Sequence, residues 1–456
     1  MNIRLLLIAI IAFNVVVKLL WLGTNELAHD EPFTVYWSQQ PLGAFWEMLR
    51  TENNPPLYFL LIKAWSAFVP FEAAWLRVPS AVFSALAVWP LFLLAHRLAG
   101  QRAALVASLL FTLNNYHYGF AHEVRAYSLF TLLATLGMWL LWRAKDKPGN
   151  GIRAMVGLSA LNTLLVYTHF FGWLAMGVQL LCVLALPELR PMRRNFLLGV
   201  GITLLWFSPY LVIFLSRLGS SVSQGTWLEA PVPEELYNMI WRWSNAPVLA
   251  VAFLALIVFA AARSRMAASA LRLALIWCMV PLIGMFAMSL LVPMFLDRYL
   301  VYAAPGFALL LALSIDTISI PARASSALAA VAIGAMAFTF EPWKEGRYHP
   351  SAVVEQVNAW CPDRCIEHVW PPWYWLNYRA AADIRNLQEE RTQFTQYDIN
   401  GSLMLTNDTL KPTIVVDASG DPISSQKHWY QRLRASYPLV DSVEADHRVW
   451  VYRFHR

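Results

Sequence analysis

Two adjacent carboxylates, Asp30 and Glu31, follow the first hydrophobic segment of the chain directly. A carboxylate held beside a hydroxyl group can take its proton as a general base while the oxygen attacks another molecule. Acids just outside a membrane segment are also common in plain solvated loops, where they have no chemical role. The pair therefore indicates chemistry only if other reactive groups lie on the same side of the membrane.

The composition is that of a polytopic membrane protein. Of the 456 residues, 58% are hydrophobic and 14% are charged, and the mean hydropathy is +0.46. No water-soluble globular domain has such values. The formal net charge of +6 does not indicate nucleic-acid binding. The basic residues lie in short loops between hydrophobic segments, where they mark the cytoplasmic side of the membrane.

About eleven transmembrane helices are predicted within residues 1–340, and the basic loops orient them. The N-terminus is predicted to be cytoplasmic, so the first helix delivers Asp30 and Glu31 to the outer side of the cytoplasmic (inner) membrane. No small-residue cleavage site follows the first segment, which is therefore expected to be a retained anchor. The loops assigned to the cytoplasm carry Arg97, Arg143, Arg193 and Arg263.

The first outer loop is predicted to contain helices that lie in the membrane interface. Residues 55–69 are apolar and aromatic, but the segment is short and is interrupted by Lys63. These features are more typical of an interfacial helix than of a membrane crossing.

Residues 341–456 are predicted to form a small extracytoplasmic α/β domain. Residues 413–416 are typical of a buried strand, residues 424–436 of an amphipathic helix, and residues 448–454 of a strand with alternating faces. No grouping of carboxylates and arginines in this region rivals the membrane loops. The domain is therefore expected to cover the site or to select the acceptor.

The four cysteines fall into two classes. Cys182 and Cys278 lie inside apolar segments and are expected to be inert core residues. Cys361 and Cys365 are weak zinc candidates and fair candidates for a short-loop disulfide, provided that their region is extracytoplasmic.

The predicted topology collects the unusual polar residues of the membrane loops on the outer side. Ionisable groups at the membrane are costly and are usually functional or paired. The outer side would then be the side where chemistry is done. The ionisable residues that this topology groups at the outer membrane surface include Asp30, Glu31, Glu123, Arg125, His169, Arg242, Asp297 and Arg298.

Carboxylates and arginines suit the transfer of a sugar from a lipid-linked phosphate to a hydroxyl group. The carboxylate would deprotonate the hydroxyl as it attacks the anomeric carbon from the face opposite the phosphate. The leaving phosphate needs cations, and the fork of an arginine matches phosphate geometry. The sequence has no Ser-His-Asp order, no Gly-rich phosphate loop and no dense set of His and Cys for a metal.

The order of five motifs resembles the GT-C membrane glycosyltransferases, and most closely the protein O-mannosyltransferase and lipid A aminoarabinose transferase type. The motifs are the Asp-Glu pair, Asn-Pro-Pro-Leu-Tyr, Glu-Val-Arg-Ala-Tyr, Tyr-Thr-His-Phe-Phe-Gly and Asp-Arg-Tyr-Leu-Val-Tyr-Ala-Ala-Pro-Gly. The resemblance covers residues 1–340, and the C-terminal domain matches only in position and general character.

The resemblance implies an all-α GT-C-like membrane domain with a polyprenyl-phosphate sugar as donor. It makes Asp30 the base and Glu31 its supporting partner. Many relatives have His or Glu-Lys where this chain has Asn53 and Asn54, so a cationic contact with the lipid phosphate is either absent at this point or supplied by Lys63, Arg242 or Arg298. The candidate catalytic residues are Asp30, Glu31 and Glu123, and the candidate substrate-binding residues are Asn54, Lys63, Arg125, Tyr127, His169, Arg242, Arg298 and Tyr299.

Each assignment has a structural alternative. Asp30 could cap a helix in a wet loop, and Glu31 could only orient that loop. Glu123 and Arg125 could form an ion pair that ties two outer turns together.

Three further candidates also have common structural roles. His169 could be a hydrogen-bonded interfacial residue, and Arg298 could extend its charge to the membrane surface from the end of a helix. Arg242, between Trp241 and Trp243, could belong to the aromatic belt at the interface.

The sequence therefore predicts an inverting hexosyl- or pentosyltransferase that moves a sugar from a polyprenyl-phosphate donor to a glycan, lipid or protein acceptor. A divalent metal is not indicated, and the other expected partner is membrane lipid, with no nucleic acid. One alternative is a transporter or flippase for a lipid-linked glycan, which mid-helix charges and internal pseudo-symmetry would favour. Another is a ligase that uses a diphosphate-linked oligosaccharide.

Overall fold

The computed structural model describes residues 2–146, 152–224, 228–263, 268–318, 320–360, 366–370, 374–383, 413–418 and 428–455. These residues are mostly helical, with one small sheet near the C-terminus. They form two compact units. The first unit consists of Met1–Leu22, Leu42–Ile62 and Arg77–Pro342, and the second of Gly23–Pro41, Lys63–Leu76 and Trp343–Arg456.

The described residues form the following helices in chain order. They are α1 Ile3–Leu19, α2 Glu31–Gln39, α3 Leu42–Leu49, α4 Leu57–Ser66, α5 Ala73–Leu86, α6 Val88–Ala99, α7 Gln101–Thr112, α8 Asn115–Ala121, α9 Tyr127–Ala144, α10 Ile152–Thr168, α11 Gly172–Ala185, α12 Arg193–Gln224, α13 Glu234–Ser244, α14 Pro247–Arg263, α15 Ala268–Ser289, α16 Ala304–Thr317, α17 Ala322–Phe338, α18 Pro350–Trp360, α19 Tyr374–Asp383 and α20 His428–Ser436.

Several helices are suited to a membrane, and the protein is a multi-pass membrane protein. Among the described residues, four helical segments are long and apolar enough to cross: Ala73–Ala99, Arg190–Ser223, Ser269–Ser289 and Asp297–Thr317. A fifth crossing results if α13 and α14, which meet at 94°, are one broken span. The count of eleven helices remains a prediction.

Hydrogen bonds between polar side chains, and close contacts between helix backbones, hold the helices of the first unit together. The side-chain amides of Asn162 and Gln179 exchange two hydrogen bonds of 2.9 and 3.1 Å between α10 and α11. Such pairs satisfy polar groups where neither water nor lipid can. Gly306 lets α16 approach α15, because a Cβ there would lie 2.9 Å from Trp277 Cγ.

Charged residues lie at both ends of this helical unit. At one end, Arg97 pairs with Asp146, and Arg102 pairs with Asp316. α9 extends from this end to Tyr127, which lies close to other candidate substrate-binding residues. The sequence analysis predicts, from the basic residues alone, that this end of the unit is cytoplasmic.

The second unit contains a four-stranded sheet of β1 Ile366–Trp370, β2 Thr413–Asp417, β3 Leu439–Asp446 and β4 Val449–His455, in the order β1-β2-β4-β3. β1 and β2 are parallel, and the other pairs are antiparallel. Ile414 and Val416 pack with α18 and α19 on one face, whereas Val415 packs with α20 on the other. Burial on both faces explains the continuous apolar run in β2.

The small C-terminal α/β region matches the sequence prediction where it is described. β2 and β4 lie where strands were predicted, and the predicted helix at residues 424–436 is present as His428–Ser436. Cys361 and Cys365 lie outside the described residues. The division at residue 340 remains a prediction, and the second unit also takes in two segments of the first outer loop.

Candidate active site

Two arginines from distant parts of the sequence converge on one histidine at the end of the first unit. Arg125 lies in the turn before α9, His169 between α10 and α11, and Arg298 at the start of a 3₁₀ helix, Asp297–Ala303. Burial, with repulsion from Arg125 and Arg298, lowers the pKa of His169 to about 3. The imidazole is therefore neutral at physiological pH.

The Arg125 guanidinium is buried but keeps polar and aromatic neighbours. Its Nη2 lies 3.5 Å from Asn54 Oδ1, and its Cζ lies 5.8 Å from the ring centre of Tyr127. Its backbone carbonyl accepts a hydrogen bond of 3.3 Å from Ser80 Oγ, and that hydroxyl also contacts Tyr58 OH at 2.6 Å. The contacts join α4, α5 and the turn before α9, so the folded core fixes the position of this charge.

Aromatic rings hold the His169 imidazole in a single orientation. The ring stacks on Phe130 at 5.0 Å and meets Tyr299 edge to face at 5.4 Å. Nδ1 accepts a hydrogen bond of 3.2 Å from the backbone N–H of Phe171. A neutral imidazole that accepts at Nδ1 carries its proton on Nε2. His169 can therefore donate to an oxygen of a bound substrate.

Arg242 forms an ion pair instead of standing alone in the aromatic belt. Its Nε lies 3.1 Å from Asp297 Oδ2, and the two side chains are 40% and 36% exposed. Asp297 Oδ1 also accepts the backbone N–H of Arg298 at 2.7 Å, and Tyr116 OH donates to the Asp297 carbonyl. Asp297 therefore connects Arg242 to the turn that presents Arg298.

Asn245, which sequence reasoning missed, sets the sharp bend between α13 and α14. Its φ of 64° lies in the left-handed region, which asparagine tolerates better than most residues. Its Oδ1 accepts from the backbone N–H of Asn115 at 2.8 Å, and its Nδ2 donates to the Leu113 carbonyl at 2.8 Å. The bend with Arg242 is thereby anchored to the α7–α8 turn. The isolated Asn after the Trp-Arg-Trp run was its only sequence signal.

Asn54 lies in a polar turn before α4. The carboxylate of Glu52 accepts from Asn54 Nδ2 at 2.6 Å and from the backbone N–H of Asn53 at 2.8 Å. Arg217 Nε donates to Asn53 Oδ1 at 3.0 Å, so α12 also contacts this turn. Arg217 is a basic residue near Asn54 that the sequence analysis did not include among the candidate site residues.

Glu123 lies half-buried in the α8–α9 turn, two residues before Arg125. Its backbone carbonyl accepts the Arg125 N–H at 2.8 Å. The turn places Glu123 and Arg125 in the same part of the unit, and the catalytic role of Glu123 remains a prediction.

Asp30 and Glu31 belong to the second unit, at the start of α2. Asp30 occupies the N-cap position, but its side chain makes no capping hydrogen bond. Glu31 is buried, and its Oε2 accepts the backbone N–H of Ala28 at 3.3 Å. Glu31 therefore braces the turn, as the supporting role requires, and Asp30 is more exposed.

Lys63 is engaged with the backbone of the second unit. Its Nζ donates to the carbonyls of Ser38 and Gln40 at 3.2 and 3.0 Å. A cation suits these carbonyls at the C-terminal end of α2. The contacts favour a structural role for Lys63 over the phosphate contact considered for it.

No group of three or more His, Cys, Asp or Glu side chains within the described ranges is placed to hold a metal ion. Cys182 and Cys278 are buried free thiols.

Known proteins match both the sequence and the fold. The sequence model of the family described as dolichyl-phosphate-mannose-protein mannosyltransferase matches residues 53–213. That range contains Asn54, Arg125 and His169, whereas Asp30 precedes it. No curated protein matches by sequence.

Two solved structures share the fold at low sequence identity. ArnT from Cupriavidus metallidurans bound to undecaprenyl phosphate is 16% identical, with a TM-score of 0.62 over 98% of this chain and 97% of that chain. The oligosaccharyltransferase AglB from Archaeoglobus fulgidus, in complex with an inhibitory peptide and a dolichol-phosphate, is 11% identical. Its TM-score is 0.52 over 83% of this chain and 64% of that chain. The predicted resemblance to GT-C membrane glycosyltransferases of the mannosyltransferase and ArnT type is therefore confirmed.

Proposed function

We propose that the protein is an inverting glycosyltransferase that moves a sugar from a polyprenyl-phosphate donor to an acceptor hydroxyl on the outer face of the cytoplasmic membrane. The observation that carries this proposal is a shared aromatic cluster. The rings of Tyr127 and Tyr299 both contact the His169 ring, and Arg125 and Arg298 lie over those two tyrosine rings. Two cations beside an oriented N–H donor suit a phosphate whose charge grows as it leaves. The structural relatives bind undecaprenyl phosphate and dolichol-phosphate, which supports the choice of donor.

In the proposed reaction, Asp30 takes the proton of the acceptor hydroxyl while its oxygen attacks the anomeric carbon of the donor. The bond between that carbon and the phosphate oxygen breaks on the opposite face, which inverts the configuration. The electron pair leaves with the polyprenyl phosphate, and Arg125 and Arg298 neutralise the added charge. His169 Nε2–H donates to an oxygen of the phosphate or the sugar.

The reaction is tested by incubating purified protein with a defined polyprenyl-phosphate sugar and envelope extracts as acceptor. We expect a glycosylated product and free polyprenyl phosphate in equal amounts. The same product should be missing from the envelope of a strain that lacks the protein, and mass spectrometry would identify its sugar and acceptor. Movement of the intact donor across a vesicle membrane without release of polyprenyl phosphate would instead support a flippase.

Arg298→Ala should weaken donor binding by about tenfold, the scale of one lost charged hydrogen bond at a half-buried site. Arg298→Lys should recover only part of the loss, because the forked contact with the phosphate is absent. Titration of purified protein with donor would measure both. Equal donor affinity in all three proteins would leave Arg298 with only the role of a charge at the membrane surface.

Single cysteines test the sidedness, in a background without the native cysteines. Cysteines at Glu52 and Leu439 should react with an impermeant thiol reagent in intact cells, after outer-membrane permeabilisation where needed. A cysteine at exposed Arg190, in a loop predicted to be cytoplasmic, should react only after lysis. Labelling at Arg190 in intact cells would overturn the topology and the placement of the active site.

A further inference from the structure

The turn that presents Asp30 is tied to the C-terminal part of the chain at three successive points. Asn25 Oδ1 accepts the backbone N–H of Gly346 at 2.7 Å. The other two contacts are hydrogen bonds from residues of α18 and α19. The Ser351 N–H donates to the Glu26 carboxylate at 2.9 Å, and Asn377 Nδ2 donates to the backbone carbonyl of His29 at 3.0 Å.

His29, directly before Asp30, has a backbone conformation that is unfavourable for a non-glycine residue. Its φ is 56°, in the left-handed region that costs a non-glycine residue about 1–2 kcal/mol. Such a conformation persists only where the surroundings determine it. Two contacts do so here: the hydrogen bond from Asn377, and the edge-to-face packing of the His29 ring on Tyr348 at 4.2 Å.

Asn377 is well placed to hold this conformation. It is only 2% exposed, and it lies on α19, which packs against α2. A buried side-chain amide has little rotational freedom, so the direction of its N–H fixes the His29 carbonyl. That peptide unit leads directly into the N-cap residue of α2, which is Asp30.

Glu26 fixes the other end of the turn. Its carboxylate accepts from both the backbone N–H and the hydroxyl of Ser351, in the first turn of α18. A negative charge at a helix N-terminus is favourable, because the first N–H groups have no partner within the helix. The turn is therefore held from α18 and from α19.

We propose that the C-terminal region sets the conformation of the Asp30 turn, with Asn377 as the positioning residue. This inference rests on the proposed function, in which Asp30 is the base. It gives residues 343–456 a part in the chemical step, beyond covering the site or choosing the acceptor. A base displaced by a fraction of an ångström loses rate without any change in donor binding.

Asn377→Ala should lower the single-turnover transfer rate at saturating donor by about 5- to 10-fold, the effect of one neutral hydrogen bond, with donor affinity unchanged. Leu433→Ala is the matched control. It removes a buried side chain of α20, which packs on the opposite face of the same sheet, and it weakens the region without touching the turn. Leu433→Ala should keep the parent rate.

A second pair of variants separates positioning from general loss of structure. In the Asn377→Ala protein, adding His29→Gly should restore part of the rate, because glycine adopts a positive φ without strain. Adding His29→Ala should not, since alanine keeps the strain and loses the same ring contact. Equal recovery in the two double variants would overturn the inference, as would a parent rate in Asn377→Ala.

Asp30→Asn in the same assay separates this inference from the proposed function. Normal turnover of Asp30→Asn would contradict the role of Asp30 itself. A slow Asp30→Asn together with a normal Asn377→Ala would contradict only the positioning. If Asn377→Ala does not fold, Glu26→Ala breaks another tie to the turn, and a parent rate in that variant would also overturn the inference.

Discussion

Replacing Asp30 with Asn should lower the single-turnover rate of sugar transfer by about 10²-fold or more, the usual scale for a positioned base. Asparagine keeps the shape and hydrogen-bonding capacity of the side chain but cannot take a proton from the acceptor. The donor is bound through its phosphate and lipid, so its affinity should change little. Purified protein and a defined polyprenyl-phosphate sugar would measure both quantities.

The controls for this variant lie in the same outer loop and turn. Glu47→Gln removes an exposed acid of α3 that pairs with Arg50 in a surface contact, and it should keep the parent rate. Glu31→Gln should slow transfer less than Asp30→Asn, because Glu31 braces the turn at Ala28. Near-normal turnover of Asp30→Asn would move the chemistry to Glu31 or Glu123.

Features set by local sequence were predictable. The run Thr-Ile-Val-Val predicted a buried strand, because a strand covered on both faces has no polar positions. The alternation of residues 448–454 predicted β4, in which Val451 and Phe454 are buried on opposite faces of the sheet. The Glu-Val-Arg-Ala-Tyr motif predicts that Arg125 and Tyr127 lie close together. In the structure, Arg125 Cζ lies 5.8 Å from the centre of the Tyr127 ring.

Helix breaks were less visible in the sequence. The hydropathy of residues 103–120 predicts one continuous span, whereas in the structure α7 ends at Thr112 and α8 begins at Asn115. Asn114 causes the break, because its side chain accepts the backbone N–H of His117 and caps α8. Because the stretch is apolar and has the length of an ordinary membrane span, its hydropathy predicts one continuous helix in spite of the capping residue.

Contacts between distant residues could not be predicted from one sequence. Nothing local to Asn377 or to Asn25 indicates that they take part in the same turn, and each makes its contact with a residue more than 300 positions away in the sequence. The ion pair of Arg242 with Asp297 likewise joins α13 to the distant 3₁₀ helix that begins at Asp297. Residue types predicted which groups could do chemistry, whereas the tertiary structure alone shows which of them are already engaged.

The second large effect is expected from Arg125, a residue that is only 7% exposed, in contrast to the half-buried Arg298. Arg125→Ala should lower kcat/KM by about 10²-fold, or about 3 kcal/mol, because it removes charged hydrogen bonds that strengthen as the phosphate leaves. Arg125→Lys should recover part of the charge effect but not the forked geometry. Steady-state and single-turnover kinetics with the defined donor would separate binding from chemistry.

Arg102→Gln is the matched control, because it removes an arginine of the same unit that pairs with Asp316 at the opposite end of the helices. It should leave kcat/KM unchanged in the folded protein. If Arg125 serves only to tie Asn54 and Tyr127 together, Arg125→Ala should lower the melting temperature and the yield while the folded fraction keeps its kcat/KM. A stable Arg125→Ala protein with normal kcat/KM would exclude this residue from phosphate binding and leave Arg298 and Arg217 as the cations to test.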